Sequence, residues 1–163
     1  MADLKVKRIE ITKEQIERAE QLFQFKKLKN SITEGDGNLA GALGEIVVCD
    51  EYNGEQANTY DYDLIINGFK IDVKTKRISN NLSPKKNWNA TVPNFNTTQK
   101  CDYYCFVNLR TNFEVGFING FITKEDFYEK ASFREKGEID PSGNGVWRFK
   151  ADCYNLSIVN LKM

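Results

Sequence analysis

The sequence predicts an α/β protein in which a mixed central sheet is flanked by helices. Three stretches carry this prediction. Asn67-Gly68 joins two alternating apolar runs, and this dipeptide is the strongest short signal for a tight β-hairpin. Residues 35–52 repeat their apolar side chains with the period of a helix. Residues 102–109 are almost continuously apolar, as a buried central strand should be, and we expect them to pair parallel to the second hairpin strand.

Length and composition narrow the class of protein. The 163 residues suit one compact domain, and Lys plus Arg and Asp plus Glu balance at 23 each, so any nucleic-acid surface must be local. The chain contains no histidine, which excludes Ser-His-Asp and Cys-His catalysis and the common histidine-containing zinc sites. Chemistry based on carboxylates, lysine and hard metal ions remains.

The cysteines and the termini indicate a soluble, cytoplasmic protein. No C-x-x-C pair occurs, so four free thiols in a reducing compartment are expected: Cys49, Cys101, Cys105 and Cys153. The N-terminus does not resemble a signal peptide, and no apolar run approaches the roughly 20 residues that a membrane span needs. We therefore expect no membrane association.

The N-terminal part predicts a strand and a helix. Residues 4–11 alternate weakly, as in a short edge strand. Thr12 and Gln15 form a capping box, which starts a helix that we place within residues 12–30. Its apolar period indicates four inward-facing side chains: Ile16, Ala19, Leu22 and Phe23.

A second helix follows, capped by Asp36 or Asn38 and ended by Asn53-Gly54. Its buried stripe consists of Leu39, Leu43, Ile46 and Val47. Glu45 lies at the edge of this stripe, roughly a third of a turn from its centre, so its carboxylate can reach toward a neighbouring strand. Gly41, one turn earlier, leaves that surface uncovered.

The hairpin register follows from the two-residue turn. It opposes Leu64 to Ile71, Asp63 to Asp72, and Asp61 to Lys74. Alternation then assigns one face to apolar side chains, namely Tyr62, Leu64, Ile66, Phe69, Ile71 and Val73. The other face carries mainly charged residues, namely Asp61, Asp63, Ile65, Lys70, Asp72, Lys74 and Lys76.

Directly opposed carboxylates destabilise a sheet, so Asp63 and Asp72 require a positive charge between them. Lys74 on the same face can supply it, and a divalent cation bound by both carboxylates is the alternative. An ordinary half-exposed hairpin with a charged outer face remains the competing interpretation of the hairpin alone.

Asp63, eight intervening residues and Asp72-Val73-Lys74 resemble the motif of the PD-(D/E)XK phosphodiesterases, the restriction-endonuclease-like nucleases. Tyr62 stands where that motif has proline. Glu45 matches, in order and context, the acidic residue on the first core helix of the family. The resemblance implies a restriction-endonuclease-like core over residues 38–109, followed by a C-terminal α/β extension over residues 110–163.

The resemblance also implies a Mg²⁺- or Mn²⁺-dependent endonuclease that hydrolyses nucleic acid, with DNA as the expected substrate. Glu45, Asp63 and Asp72 would hold one or two metal ions, and the Val73 carbonyl could add a ligand. Lys74 would orient or deprotonate the attacking water, while Asp61 would support Lys74 or serve as another ligand. A homodimer is compatible with this class. The alternatives are an inactive DNA-binding or structural relative and a hydrolase that acts on RNA.

Residues 78–100 are rich in Asn, Ser, Thr and Pro and lack a helical period, so we expect an irregular excursion, with room for one short turn of helix, where the family commonly has a helix. Its base and body offer groups for phosphates and stacking: Lys76, Arg77, Lys85, Lys86 and Trp88. Alternatively, Trp88 packs onto the core. Gln99-x-x-x-Tyr103 resembles a motif beside the active site of some helicase-associated nucleases, although Tyr103 also suits a strand start.

The C-terminal part predicts further strands and one helix. Residues 114–118 form a strand that can extend through 121–122, and Thr123 with Asp126 caps a helix to about Ser132. After a turn cluster over residues 140–145, segments 146–150 and 155–163 alternate. Trp147 is expected in the core, while Arg148 and Lys150 face water or phosphate.

Overall fold

The computed structural model describes residues 4–30, 37–57, 59, 61–140 and 148–163, excluding the side chains of residues 25–30, 37, 38 and 95. The predicted cap at Asp36 or Asn38, most of the predicted turn over residues 140–145, and Trp147 therefore lie outside what is described. None of the described helices is long and apolar enough to cross a membrane.

The described residues form both helices and strands, which confirms the α/β class. The elements are β1 (Lys7–Glu10), α1 (Lys13–Asn30), α2 (Gly37–Glu51), β2 (Glu55–Gln56), β3 (Leu64–Ile66), β4 (Phe69–Ile78), β5 (Asn89–Pro93), β6 (Tyr103–Arg110), β7 (Val115–Thr123), α3 (Lys124–Lys130), β8 (Ser132–Arg134) and β9 (Cys153–Ser157). Single turns of 3-10 helix follow β5 at Asn94–Asn96 and β9 at Ile158–Asn160.

The strands form two sheets. The larger has the order β1-β7-β6-β4-β3-β2, in which β4 and β6 run parallel and the other neighbours antiparallel. The predicted mixed sheet and the parallel partner of the hairpin are thus confirmed. The smaller sheet, β5-β9-β8, is antiparallel and was not anticipated.

Successive side chains of β6 face two different cores, so both faces of the larger sheet are covered at this strand. Cys105, Val107 and Leu109 face a first core that includes α1 and α2. Tyr104 and Phe106 face a second core that includes α3 and the smaller sheet. The middle of the charged face of β4, at Asp72 and Lys74, therefore lies on the side of the second core, whereas Lys70 and Lys76 toward its two ends are exposed.

The hairpin confirms the predicted register as far as Leu64 and Ile71, and both turn residues have positive φ, 51° at Asn67 and 83° at Gly68. Beyond that point the prediction is wrong, because Asp63 N donates to Ile71 O and the chain leaves the ladder. Asp61 and Lys74 are consequently not paired. Tyr62 packs against the second core, on the face opposite to the one predicted.

The predicted helix ends are confirmed where the structure describes them. Thr12 N donates to Gln15 Oε1 at 3.0 Å, and Gln15 N donates to Thr12 Oγ1 at 3.1 Å. Helix α2 ends before Asn53, which has a φ of 52°. Thr123 Oγ1 accepts from Asp126 N at 3.1 Å, although α3 ends at Lys130 and Ser132 begins a strand.

The excursion after β4 is more regular than predicted. Residues 89–93 form β5, which pairs with β9 across the second core. The prediction of an irregular segment was wrong here, because the pairing partner lies far away in the sequence and leaves no local signal. The predicted strand after residue 114 is one strand, β7, with a bulge before Gly120.

Gly44 allows α2 to approach β4 closely. A Cβ at Gly44 would lie 2.0 Å from Thr75 Oγ1, whereas a Cβ at Gly41 on the same helix would meet no described atom within 4 Å. Gly44→Ala is expected to lower the free energy of unfolding by about 1 to 3 kcal/mol through overpacking. The control Gly41→Ala should raise it by about 0.5 to 1 kcal/mol. Denaturant unfolding measures both, and equal effects would contradict this contact.

Candidate active site

Asp72, Lys74 and Gln99 form a closed polar cluster on the second-core side of β4. Lys74 Nζ lies 2.8 Å from Asp72 Oδ2 and donates to Gln99 Oε1 at 3.2 Å. Gln99 Nε2 in turn donates to Asp72 Oδ1 at 3.4 Å. Asp72 is only 3% exposed, so this charge is almost completely removed from water. The strand period of two puts Asp72 and Lys74 on the same face.

Asp63 joins this cluster from the point at which β3 ends. Its Oδ2 accepts from Val73 N at 2.8 Å, so the carboxylate replaces the missing strand as the ladder partner of β4. Burial, followed by the nearby charge of Asp63, raises the pKa of Asp72 to about 7, while Lys74 acts in the opposite direction. Asp63 and Asp72 are thus close together, as predicted. The side chain of Asp63, and not its pairing in the strand register, brings it to β4.

The loop before β6 positions Gln99. Lys124 Nζ donates to Gln99 O, and Lys100 N donates to Asp61 Oδ1 at 3.0 Å. Asp102 Oδ2 accepts from Lys70 N at 2.8 Å and fixes the same loop to β4. Asp61 therefore holds this loop and does not support Lys74 in the way that the hairpin register predicted.

Glu45 is buried at 5% exposure on α2, which packs on the face of β4 that carries Val73 and Thr75. Across the described residues, no three His, Cys, Asp or Glu side chains form a group that could hold a metal ion. The three predicted acidic ligands therefore do not form such a group together.

Asp63 and Asp72 nevertheless suit one hard cation. Asp72 Oδ2 is buried, and the ammonium of Lys74, which lies 2.8 Å away, shows that a cation can approach it. Carboxylate oxygens are hard ligands, and Mg²⁺ is commonly bound by one or two carboxylates together with water and substrate phosphate. The pair of carboxyl groups thus fits Mg²⁺ without a third protein carboxylate.

The predicted nucleic-acid contacts are dispersed. Lys76 shares the face of Lys74, whereas Arg77 points to the other face, where its guanidinium lies 5.4 Å from the ring centre of Phe113. Lys85 and Lys86 are exposed. Trp88 is half-buried against the second core, as the alternative interpretation held. Further away, Arg148 and Lys150 are exposed.

Asn108 and Asn119 are buried beside Lys74 and Lys76 but were not predicted as site residues, and Gln99 was predicted only through a motif resemblance. A signal existed, because each of these asparagines interrupts an otherwise apolar strand. Polar residues at buried strand positions need partners and so mark internal polar sites. For Gln99 the local signal was the spacing Gln99-x-x-x-Tyr103.

Comparison with known proteins adds no assignment. No protein-family model matches this chain, and no curated protein sequence matches it. The interpretation of the site therefore depends on its geometry and on the motif.

Proposed function

We propose that this protein is a Mg²⁺- or Mn²⁺-dependent endonuclease that hydrolyses phosphodiester bonds in nucleic acid, with DNA as its substrate. It would be a small member of the PD-(D/E)XK nucleases with a restriction-endonuclease-like core. The order of a helix with Glu45, then Asp63, then Asp72-x-Lys74 supports this proposal, as does the parallel pairing of β4 with β6.

The observation that carries the proposal is the buried cluster of Asp63, Asp72, Lys74 and Gln99. A carboxylate that is desolvated and placed beside a second carboxylate destabilises the folded protein. Such groups are concentrated at functional sites, because there the unfavourable arrangement serves binding or catalysis. A merely solvated hairpin face would not bury Asp72.

Each residue of the cluster has a distinct role in this proposal. Asp63 and Asp72 would hold the metal ion, which when bound activates water and offsets charge on the phosphate. Lys74 has three N–H donors, of which Asp72 and Gln99 engage two, so one can bind the attacking water or a phosphate oxygen. Gln99 would orient both Asp72 and Lys74 and hold the lysine amine toward the substrate.

Two observations favour a second candidate, a nucleic-acid-binding or structural relative without catalytic activity. Lys74 is already paired with Asp72. Among the described residues, the three predicted acidic ligands Glu45, Asp63 and Asp72 do not form one metal-binding group. In that case the cluster would tie β4 to the loop before β6, and added Mg²⁺ would neither support cleavage nor raise the melting temperature.

An assay with the purified protein distinguishes the two candidates. Supercoiled, linear and branched DNA and an RNA strand are incubated with Mg²⁺, with Mn²⁺ and with EDTA. Cleavage that requires the metal ion supports the endonuclease, and the preferred substrate defines its class. Absence of cleavage on all of these nucleic acids, in protein that still binds DNA, supports the inactive relative.

A further inference from the structure

A crevice of about 200 Å³ lies next to Lys74, between the two sheets. Its buried walls include Phe106, Asn108 and Asn119, and its mouth includes Lys76 and Asn96. The volume is below the roughly 300 Å³ at which pockets for drug-sized ligands begin. It therefore suits a single planar ring system and excludes a base pair.

Asn119 lines this crevice and lies at a bulge in β7. The register shifts between Phe106 and Val107, which pair with Gly120 and Ile118, so Asn119 is the extra residue. Bulges redirect side chains and are over-represented next to active sites. Here the bulge places a polar side chain that is 4% exposed in a wall that is otherwise partly aromatic.

The Asn119 side chain has an acceptor without a partner. Its Nδ2 donates to Asn108 Oδ1 at 2.7 Å. Its Oδ1 is buried and has no hydrogen-bond partner in the described part of the chain. A buried acceptor left unpaired destabilises the fold, and a ligand with an N–H donor would relieve this.

A cation stands at the mouth of the crevice. Lys76 is exposed as a residue, but its amine donates to Asn89 O at 3.1 Å and to Thr91 Oγ1, and desolvation there lowers its pKa to about 8. Lys74 and Lys76 are two residues apart on one face of a strand, so they lie about 7 Å from each other. The crevice thus combines a donor-seeking amide, an aromatic wall and two cations.

We propose that the crevice binds one unstacked nucleobase that carries an exocyclic amino group, while Lys76 binds the phosphate next to it. The amino group would donate to Asn119 Oδ1, and the base would pack against Phe106. A base inside a duplex cannot enter, so the bound strand is single-stranded or opened at this nucleotide. The inference rests on the proposed function in that this strand would be the substrate.

Fluorescence anisotropy in EDTA tests the proposal without cleavage. Two single-stranded thymidine oligonucleotides are compared, one with a central adenine and one with hypoxanthine, which has a carbonyl in place of the amino group. The wild-type protein should bind the adenine strand about tenfold more tightly, since one hydrogen bond to a buried acceptor separates the two ligands. Equal affinities, or no binding of either strand, would overturn the proposal and leave a crevice that water fills.

Two variants sharpen this test. Asn119→Leu, of similar size but without an acceptor, should abolish the preference for adenine. Lys76→Ala should weaken the binding of both strands and reduce the salt dependence by about one unit of slope, because one phosphate contact is lost. If Asn119→Leu does not fold, the comparison of the two strands on the wild-type protein still decides.

The outcome is separable from that of the proposed function. A preference for adenine in a protein that cleaves no nucleic acid would support base binding in the crevice and contradict the proposed nuclease activity. Metal-dependent cleavage with equal binding of the two strands would support the nuclease activity and contradict base binding in the crevice.

Discussion

Lys74→Ala is expected to reduce DNA cleavage by about 10²- to 10⁴-fold while the protein stays folded. The amine lies 2.8 Å from Asp72 and is the cation best placed to orient water and to stabilise charge on a phosphate. Asp72→Asn should cause a comparable loss, because it removes a carboxylate that the proposed metal site requires. Initial rates on supercoiled DNA in Mg²⁺ measure both effects, and circular dichroism checks the fold.

Lys70→Ala is the matched control for this experiment. Lys70 lies on the same strand and the same face as Lys74, but it is exposed and its ammonium lies 5.4 Å from the ring centre of Tyr62. The control changes net charge equally and should keep the wild-type rate. Wild-type rates in both Lys74→Ala and Asp72→Asn would refute the catalytic assignment.

Glu45→Gln tests whether α2 contributes to the site. If the metal is held by Asp63 and Asp72 alone, this variant should retain cleavage within a few-fold of wild type. A loss as large as that of Asp72→Asn would instead make Glu45 a third ligand, as the motif resemblance implies.

Asp72→Asn is also expected to change how the stability of the metal-free protein depends on pH. Burial and the charge of Asp63 raise the pKa of Asp72 to about 7, from 3.8 in the unfolded chain. At low pH both states hold the proton and the group has no effect. Between these two values the unfolded chain releases its proton first, so the folded state loses stability as pH rises, and above about 7 the full penalty is present.

The neutral asparagine removes this titration. In EDTA, the melting temperature of Asp72→Asn minus that of the wild type should therefore increase from pH 5 to pH 8. This increase should correspond to about 1 to 3 kcal/mol in the free energy of unfolding. Comparing the two proteins across pH cancels any constant effect of the substitution, including the loss of the partner of Lys74. A difference that does not vary with pH would show that Asp72 is ionised normally.

Asp50→Asn provides a control of opposite sign. Burial disfavours the charge of Asp50, but hydrogen bonds from Arg18 and Gln15 outweigh it and lower its pKa. The stability that Asp50 contributes is present above its unfolded pKa and is lost as pH falls. Asp50→Asn should consequently destabilise the protein at neutral pH, and this effect should disappear on acidification.

Much of the fold was predictable because its signals are local. The turn at Asn67-Gly68, the capping box of Thr12 and Gln15, and the cap at Thr123 each depend on residues within a few positions. The apolar character of β6 likewise predicted a buried strand next to β4. These features specify helices, strands and the hairpin before any distant contact forms.

The candidate site was predictable only in part. Asp72 and Lys74 share a face because of the strand period, and Asp63 approaches them because the hairpin brings it near. The exact partners were not predictable, since Asp63 leaves the ladder and uses its side chain in place of its backbone. This departure moved Tyr62 to the second core and assigned Asp61 to the loop before β6.

By itself, then, the sequence determined the α/β class, the hairpin and the pairing of charges along β4, because these depend on local periodicity and turn chemistry. The tertiary structure alone decided the second sheet and the position of Gln99. Thr91 in β5 meets Asn155 in β9 across 64 positions, and Gln99 meets Asp72 across 27. Contacts over such separations form only when the chain folds back on itself, and burial between the two sheets then turns a charged hairpin face into a desolvated cluster.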